Sequence, residues 1–416
     1  MKRNESSNIP SLSSANHLQQ QQQPYLYIRH YIFISLLTIL FLLCQIHSFH
    51  AIIQWLQDTL FNLFIIYVAW NVAYFIHDWL EYSTNILPKN HRLSDMDKRA
   101  ILITGCDSGF GLYLAQNLHQ QGYHIIAGCL SIQSIGAKKL CEKNYEKIFI
   151  VEMDVTNEQS VNNAREQIQM YLQSKPEISL WSIVNNAGIM SLCEIEFGNM
   201  STFTKQMDVN GMGVVLVTKT FLPLLRHNHF GRARIVNIAS LAGRFTMPGF
   251  VAYCMSKAIV IAFTDGLRRE LAKWNIEVVS IEPHLYRTNL VNQQRLIAEF
   301  EQQWNQSEES IRKDYGRSYH EGFVRTMTQA MDSARSEIEQ VVRTMERAVT
   351  TTQVEYSYTV ARYSERIRIW FWQTIAPICV IDFFMRKFLT DCNGQPKMLK
   401  EKMINPRNVV DYHKSK

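Results

Sequence analysis

Closely spaced cysteines are missing from this chain of 416 residues. The cysteines show no CxxC or other metal-ligand spacing, so no metal centre is predicted. Scattered cysteines are more typical of reduced thiols in a cytosol-facing protein than of a disulfide framework, although their even number leaves pairing open. They stand at positions 44, 106, 129, 141, 193, 254, 379 and 392.

A concentration of charge of either sign is missing as well. Charged residues make up 19% of the chain, the formal net charge is +6, and the basic residues are scattered. A nucleic-acid-binding surface needs a basic patch or stripe, so no nucleic acid partner is predicted. The mild positive charge is compatible with contact to an anionic lipid surface.

The N-terminus lacks the apolar start of a cleaved signal peptide. Residues 1–24 are rich in Ser, Asn and Gln and are predicted to be a disordered polar tail, because they cannot bury enough apolar surface. Two long apolar segments follow, at residues 31–46 and 60–76. Both are apolar nearly all round, which favours membrane-anchoring helices within residues 25–82 over buried core helices.

The distribution of basic residues predicts how this anchor is oriented. The connection between the two segments carries no Lys or Arg, and cytoplasmic flanks are enriched in both. A hairpin with both ends, and the following domain, in the cytosol is therefore predicted; the topology inverts if only one segment spans. The flanking basic residues are Lys2, Arg3 and Arg29 before the pair and Lys89, Arg92, Lys98 and Arg99 after it.

From residue 97 to residue 290, short apolar strands alternate with amphipathic helices. Predicted strands cover residues 99–104, 123–128, 147–151, 233–239 and 277–282, and another strand ends at Asn185. This alternation indicates parallel βαβ units, so the predicted fold is α/β with a doubly wound parallel sheet.

The first predicted strand leads directly into a loop with Gly105, Gly109 and Gly111. Glycine permits a tight turn and close approach of the backbone to a pyrophosphate, and the next helix points its N-terminal amides at the anion. Glycine is common in ordinary turns too. The position of this loop between a strand and a helix nevertheless indicates dinucleotide binding.

A tyrosine and a lysine are spaced for one face of a later helix. Tyr253 and Lys257 are four residues apart and therefore neighbours on a helix surface. An ammonium beside a phenol lowers the phenol pKa from about 10, which would let Tyr253 act as a general acid or base near neutral pH. Ser240, at the end of the preceding strand, is a candidate to hydrogen-bond the reacting oxygen.

Taken together, the motifs resemble the short-chain dehydrogenase/reductase family over residues 98–389. The resemblance is carried by the loop from Thr104 to Gly111, Asp154-Val-Thr156, Asn185-Asn-Ala-Gly188, Asn210, the Ser240/Tyr253/Lys257 set and Pro283. The residues in these motifs resemble those of the retinol and 17β-hydroxysteroid dehydrogenase branch, near the type 2 11β-hydroxysteroid and D-β-hydroxybutyrate dehydrogenases. The resemblance implies a Rossmann fold and hydride transfer at a CH–OH group.

The resemblance also implies a role for each matching residue. Tyr253 transfers the proton, Ser240 orients the substrate oxygen, Lys257 lowers the tyrosine pKa and binds the nicotinamide ribose, and Asn210 holds a relay water. The glycine loop lines the pyrophosphate, Asp154 and Asn186 lie on the adenosine side, and Thr288 contacts the carboxamide end. The implied cofactor-binding residues are Gly105, Ser108, Gly109, Gly111, Asp154, Asn186, Tyr253, Lys257 and Thr288.

The cofactor prediction is NAD, with NADP less expected. A 2′-phosphate needs a nearby Arg or Lys, and residues 127–133 after the second strand contain none. Asp107 in the glycine loop would repel that phosphate. The chain departs from the family at His284, which follows Pro283 where glycine is usual; its side chain would either narrow the substrate mouth or point to solvent or lid.

Beyond Thr288 no further strand is predicted. Residues 295–306 and 333–348 have the apolar spacing of amphipathic helices, and residues 291–365 are predicted to form a helical substrate lid. Residues 366–390, broken by Pro377, are a predicted hydrophobic helix that either lies in the membrane interface or packs on the sheet domain. Residues 391–416 are a predicted polar tail.

Anchoring and resemblance together imply a lipophilic alcohol such as a steroid or retinol as substrate. The expected location is the endoplasmic reticulum membrane, with the catalytic domain facing the cytosol. Two alternatives stay open: a dehydrogenase of a small hydroxy acid such as 3-hydroxybutyrate, with Arg244 or Arg287 as its clamp, and a catalytically silent cofactor-binding protein. The complete Asn, Ser, Tyr and Lys set argues against the second. Association into a homo-oligomer is also left open.

Overall fold

The computed structural model describes residues 32, 34–43, 47–84, 93–142, 147–374, 376–394 and 396–399. The chain divides into two compact units, Met1–Lys89 and Asn90–Lys416. The predicted polar tail at residues 1–24 and most of the one at residues 391–416 lie outside the described residues.

The first unit contains two apolar helices, α1 (Ile34–Leu43) and α2 (His47–Thr84). The stretch His50–Ala73 of α2 has 24 residues, none of which is buried. At about 1.5 Å per residue it is longer than the roughly 30 Å hydrocarbon core of a bilayer. By length and composition, α2 is a candidate membrane span. It also runs through residues 47–59, where the sequence interpretation had a connection between two segments; residues 44–46 lie outside the described residues.

The second unit is built on a seven-stranded sheet in which every neighbouring pair is parallel. The strand order is β3-β2-β1-β4-β5-β6-β7. The order reverses between β1 and β4, as a doubly wound sheet requires, and this confirms the predicted fold. The strands are β1 (Arg99–Thr104), β2 (His124–Cys129), β3 (Ile148–Glu152), β4 (Ser179–Asn185), β5 (Ala233–Ile238), β6 (Ile276–Pro283) and β7 (Ser357–Val360).

Helices cover both faces of this sheet because successive side chains of a strand point to opposite sides. The helices of this unit are α3 (Gly109–Gln120), α4 (Ile135–Glu142), α5 (Glu158–Gln173), α6 (Met200–Met207), α7 (Gly213–Arg226), α8 (Val251–Leu271), α9 (Gln293–Gln306), α10 (Glu309–Tyr315), α11 (Arg317–Asp332), α12 (Glu339–Thr350), α13 (Tyr363–Thr374) and α14 (Ile378–Asn393). In β1, Ile101 and Ile103 pack on one side with α3, α4 and α12, whereas Ala100 and Leu102 pack on the other with α5, α7 and α8.

A second stretch, Met200–Arg226, is also long and apolar enough to cross a membrane. It comprises α6, α7 and the turn between them, and Val217, Phe221 and Leu225 are buried against the sheet. Its apolar face is therefore explained by the core of the second unit.

The sheet continues beyond the point at which the sequence interpretation ended it. Strand β7 pairs with β6 from Ser280 to Pro283, and α12 packs on the same face of the sheet as α3. The helix expected at residues 333–348 as part of the lid is thus α12, a layer of the sheet domain. Its amphipathic spacing is the same in either place, since one apolar stripe packs equally well on a sheet or over a pocket.

Two buried arginines lie in central strands of the sheet, Arg99 in β1 and Arg234 in β5. Arg99, counted above as a charge flanking the membrane segments, lies in β1 with its guanidinium 4.2 Å from the Trp181 ring centroid and 3.7 Å from that of Phe230. Arg234 of β5 is fully buried and pairs with Glu277. Arg99 is therefore a structural residue of the sheet.

Arg234 joins the sheet to the end of α12. Its guanidinium donates to the carbonyl oxygens of Ala348 (2.9 Å) and Thr351 (2.8 Å) while it pairs with Glu277. Arg232 contacts the same carboxylate at 2.7 Å, but its side chain is 44% exposed. One carboxylate thus has a buried and an exposed cationic partner.

We expect the substitution Arg234→Met to lower the free energy of unfolding by about 1–3 kcal/mol, because it removes the buried donor to the carbonyl oxygens of Ala348 and Thr351. The matched change Arg232→Met should cost less than about 1 kcal/mol, as for exposed ion pairs. Urea unfolding of the full-length protein in detergent, followed by circular dichroism, measures both. Equal losses in the two variants would contradict this account.

Candidate active site

The candidate site lies at the carboxyl ends of the strands, where the order reverses between β1 and β4. Ligands of open α/β sheets bind at this switch point. A cavity of about 1490 Å³ opens there. Pockets for a single small ligand are roughly 300–1,000 Å³, so this cavity has room for a dinucleotide and a substrate side by side.

The glycine loop between β1 and α3 forms one end of the cavity. Gly105 and Gly109 have φ angles of 71° and 58°, a region that side chains disfavour. A Cβ on Gly111 would lie 2.5 Å from the carbonyl oxygen of Gly105. The loop therefore needs these glycines to bring its backbone, and the amides at the start of α3, to the cavity surface. Ser108 also lines this end.

Asn186 fixes the loop from the neighbouring strand. Its side-chain amide donates to the carbonyl oxygens of Thr104 (2.9 Å) and Gly105 (3.2 Å). Thr104 Oγ1 in turn accepts from the backbone amides of Asn186 and Ala187, both at 3.0 Å. The sequence interpretation put Asn186 on the adenosine side; in the structure its side-chain donors are used to hold the glycine loop.

The charges at this end of the cavity are negative. Asp107 and Asp154 line it. Among the described lining residues between 105 and 156 there is no Lys or Arg. Asp107 accepts from the backbone amides of Leu130 (3.0 Å) and Ser131 (3.3 Å) just after β2, so its carboxylate is held at the end of that strand. Asp154 accepts from the backbone amide of Thr156 at 2.9 Å.

Ser240 and Tyr253 meet at the centre of the cavity. Ser240 follows β5; its Oγ accepts from the amide of Ala242 at 3.1 Å and donates to the carbonyl oxygen of Pro283 at 3.3 Å. Tyr253 lies in the first turn of α8, is 8% exposed and is close enough to Ser240 for that hydroxyl to lower its pKa. The structure thus brings this predicted pair together at the cavity surface.

Lys257 is one turn further along α8. Its Nζ donates to the carbonyl oxygen of Ile238 at 2.8 Å and lies 5.8 Å from the centroid of the Tyr253 ring. Burial lowers the pKa of Lys257 to about 8. Burial also raises the pKa of Tyr253, against the lowering effect of the Ser240 hydroxyl. Desolvation of the phenol outweighs its neighbours in this structure, and the lowering of the tyrosine pKa by Lys257 stays a prediction.

Asn210 lies in a π-helical turn, Asp208–Met212, between α6 and α7. Its Nδ2 donates to Ile189 O at 2.9 Å and to Ser256 Oγ at 2.8 Å, and its Oδ1 accepts from Ile189 N at 2.7 Å. Ser256 Oγ then donates to the carbonyl oxygen of Tyr253 at 2.7 Å. Asn210 thereby links the loop after β4 to the helix turn that carries Tyr253. Its role in holding a water stays a prediction.

The remaining predicted residues lie around this centre. Thr288 lines the cavity close to the glycine loop. A Cβ built on Gly109 would lie 3.7 Å from the Cβ of Thr288. His284 also lines the cavity, and burial lowers its pKa. Of the two alternatives for its side chain, the structure therefore has it at the cavity wall.

The two arginines proposed as a carboxylate clamp are used elsewhere. Arg244 pairs with the buried carboxylate of Glu282, through contacts of 3.0 and 2.8 Å. Arg287 donates to the carbonyl oxygen of Asp332 at 2.8 Å. Neither lines the cavity. Glu282 follows from no motif in the sequence, and its pairing with Arg244 secures the segment between Ser240 and Tyr253 to β6.

The far end of the cavity is apolar and is closed by helices from the C-terminal third. A buried cluster that includes Tyr253 and Phe250 packs against Phe300 of α9, and against Phe323 and Met327 of α11. Helices α13 and α14 add further walls; the sequence interpretation left open whether this segment lies in the membrane interface or packs on the sheet domain. Their lining residues are Arg368, Ile369, Trp372, Ile381, Phe384 and Met385.

Comparison with known proteins connects this geometry to a family. The short chain dehydrogenase family profile matches residues 99–297. D-beta-hydroxybutyrate dehydrogenase, mitochondrial, of Mus musculus is 37% identical over 270 residues, 63% of this chain and 78% of that protein. Retinol dehydrogenase 7 of Rattus norvegicus is 35% identical over 247 residues, 59% of this chain and 75% of that protein. Estradiol 17-beta-dehydrogenase 2 of Mus musculus is 36% identical over 229 residues, 55% and 58% of the two chains.

Solved structures share the fold at low sequence identity. A short chain dehydrogenase/reductase from Burkholderia phymatum in complex with NAD is 20% identical, with a TM-score of 0.53, over 66% of this chain and 92% of that one. A short chain dehydrogenase from Burkholderia cenocepacia J2315 in complex with NADP is 18% identical, with a TM-score of 0.50, over 69% and 96%. The predicted family is confirmed: this chain belongs to the short-chain dehydrogenases, oxidoreductases that act on CH–OH groups.

Proposed function

We propose that this protein is a membrane-anchored, NAD-dependent dehydrogenase that interconverts a lipophilic alcohol, such as a steroid or retinol, and its ketone or aldehyde. The observation that carries the proposal is the apolar end of the cavity beside Tyr253. Leu241, Phe245, Leu285 and Trp372 are among the side chains that line it. Burying apolar substrate surface there is favourable by about 25 cal/mol per Å².

The reaction centre is proposed to be Tyr253 with Ser240. Nicotinamide, when bound, supplies the hydride acceptor or donor. Tyr253 exchanges a proton with the substrate oxygen and Ser240 orients that oxygen by a hydrogen bond. The raised pKa of Tyr253 keeps its hydroxyl protonated at neutral pH, which suits donation to a carbonyl. Alcohol oxidation needs the phenolate, whose fraction grows as the pH rises toward that pKa.

The test is turnover by the full-length protein in lipid vesicles with NAD and a panel of steroids, retinol and 3-hydroxybutyrate. We expect kcat/KM to be highest for a lipophilic alcohol, because the cavity wall beside Tyr253 is apolar. Tyr253→Phe should lower kcat by about 10²–10⁴-fold, the usual contribution of a positioned acid or base. Absorbance of the reduced cofactor reports each rate.

A matched control separates loss of the proton-transfer group from loss of a tyrosine hydroxyl. Tyr286 also lines the cavity, and its hydroxyl contacts Gln340 and Arg335 at 3.1 Å. Tyr286→Phe should leave kcat within a few-fold. NAD binding by the Tyr253→Phe protein, measured by calorimetry, should persist. Undiminished turnover in that variant would refute the mechanism, and no turnover in the wild type would favour a silent cofactor-binding protein.

A small hydroxy acid is the second candidate substrate. One relative bears the name of a hydroxybutyrate dehydrogenase, and Arg368 of α13 lines the cavity with an exposed side chain. A carboxylate substrate would need such a cation. In the same panel, this alternative predicts that Arg368→Met raises KM for 3-hydroxybutyrate and leaves KM for lipophilic alcohols unchanged.

The preference for NAD rests on the two carboxylates at the cofactor end of the cavity. A 2′-phosphate would be repelled by Asp107 and Asp154, whereas a ribose diol can donate hydrogen bonds to an acid. We expect kcat/KM with NAD to exceed that with NADP. Asp107→Asn should reduce this ratio by about tenfold, or roughly 1.4 kcal/mol, since the amide keeps an acceptor but loses the charge.

Steady-state kinetics with both cofactors measure this ratio. Asp314→Asn is the control, because Asp314 is exposed on α10 and does not line the cavity. A wild-type preference for NADP would overturn the assignment.

The location is proposed to be the endoplasmic reticulum membrane, with the catalytic unit in the cytosol. This orientation rests on the predicted hairpin, in which both apolar segments span the membrane and the basic residues before and after the pair stay in the cytosol. The sequons at Asn199 and Asn305 are both exposed, so either would be accessible to glycosylation in the lumen. We expect no endoglycosidase-sensitive shift of the expressed protein on a gel. A shift that Asn199→Gln or Asn305→Gln removes would invert the topology.

A further inference from the structure

Helices α13 and α14 have an inner side that belongs to the catalytic unit. Ile369 and Trp372 of α13 and Ile381 and Met385 of α14 line the cavity. The start of α13 is fixed by Glu365, which pairs with Arg335 at 2.8 Å, and α14 packs against α11. The two helices are therefore part of the cavity wall.

The other side of the same helices is also apolar. Its large side chains do not line the cavity and are exposed by 37–77%, where a surface helix of a soluble domain has polar residues. We call this set the outer apolar face. It consists of Ile367, Phe371, Ile378, Val380 and Phe383.

Basic residues outnumber acidic ones in the segment that carries the outer apolar face. Between residues 362 and 399 there are six basic and three acidic residues, and Arg362 and Arg386 are exposed. Of the acidic residues, Glu365 is already paired with Arg335. An apolar face with aromatic side chains, in a segment with a surplus of basic residues, is complementary to a bilayer surface with anionic headgroups, to which each basic residue adds about 1 kcal/mol.

At Phe384 the lining of the cavity reaches the protein surface. Phe384 lines the cavity and is also 52% exposed. Its ring packs edge-on against Trp372, with centroids 5.6 Å apart. A molecule that leaves the lipid at this point has to displace these two rings to reach Tyr253.

We propose that the outer apolar face docks on an anionic phospholipid bilayer, and that lipophilic substrate passes from the lipid into the cavity between Trp372 and Phe384. The docking stands on the exposed face and its charges, whereas the substrate route rests on the proposed function. The route also gives a reason for one helix pair to be apolar on two sides.

Two native cysteines test the docking without any need for turnover. Cys379 lies on α14 between Ile378 and Val380, and Cys141 lies on α4; both are exposed. The full-length protein in vesicles of phosphatidylcholine and phosphatidylserine is treated with a membrane-impermeant maleimide, and each site is followed by mass spectrometry. We expect Cys379 to react at least about tenfold more slowly than Cys141, because lipid covers it.

Phe383→Glu is the disrupting variant, because its carboxylate would have to enter the apolar part of the bilayer. It should restore labelling of Cys379 and raise KM for a lipophilic alcohol by about tenfold, with KM for NAD unchanged. Met170→Glu, on α5, is the matched control: Met170 is 61% exposed, and its replacement should change neither quantity.

Three outcomes would overturn the docking on an anionic bilayer, and a fourth would overturn the substrate route. Equal labelling of Cys379 and Cys141 in the wild type would exclude docking. Equal protection in vesicles without phosphatidylserine would exclude the anionic lipid as the partner. Protection in detergent that grows with protein concentration would indicate a second copy of this chain. If the protein oxidises no lipophilic alcohol, the proposed function and the substrate route fail, while the labelling result still decides the docking.

Discussion

A buried set of polar side chains holds the reactive residues of this protein in place. Asn185 of β4 donates to Thr218 of α7 at 3.0 Å and to Asn237 of β5 at 2.8 Å. Asn237 in turn donates to Thr264 of α8 at 2.9 Å. Polar groups buried in a hydrophobic layer destabilise the fold unless they are paired, so these bonds favour the observed register of the two helices on the sheet. That register puts the turn with Tyr253 beside the end of β5.

The parts of the site that depend on near neighbours in sequence could be predicted. The conformation of Gly105 and the start of α3 follow from a strand, a turn and a helix in succession. Tyr253 and Lys257 share a helix face whatever the helix packs on. Alternating strands and helices indicate a parallel sheet because a parallel connection needs a crossover. Family membership follows from the order of such local motifs.

Features that depend on distant parts of the chain could not be predicted in this way. Strand β7 has only four residues, and it is a strand because β6 offers it an edge. Arg244 has the positive charge that a carboxylate substrate would need, but in the structure it pairs with Glu282, 38 residues away in the sequence. The hydrophobicity of α13 and α14 fits a cavity wall and a membrane contact equally well. Only the exposure of individual side chains distinguishes the cavity-lining side of these helices from the outer apolar face.

Burial, rather than attraction between charges, sets the protonation of the central pair. Desolvation favours the neutral form of each group, so it raises the pKa of Tyr253 and lowers that of Lys257 to about 8. The two values move in opposite directions, away from a tyrosinate beside an ammonium and toward a phenol beside an amine. The apolar helices that close the far end of the cavity therefore have two effects. In the proposed function they provide a surface for a lipophilic substrate, and by excluding water from the surroundings of Tyr253 they favour its protonated form.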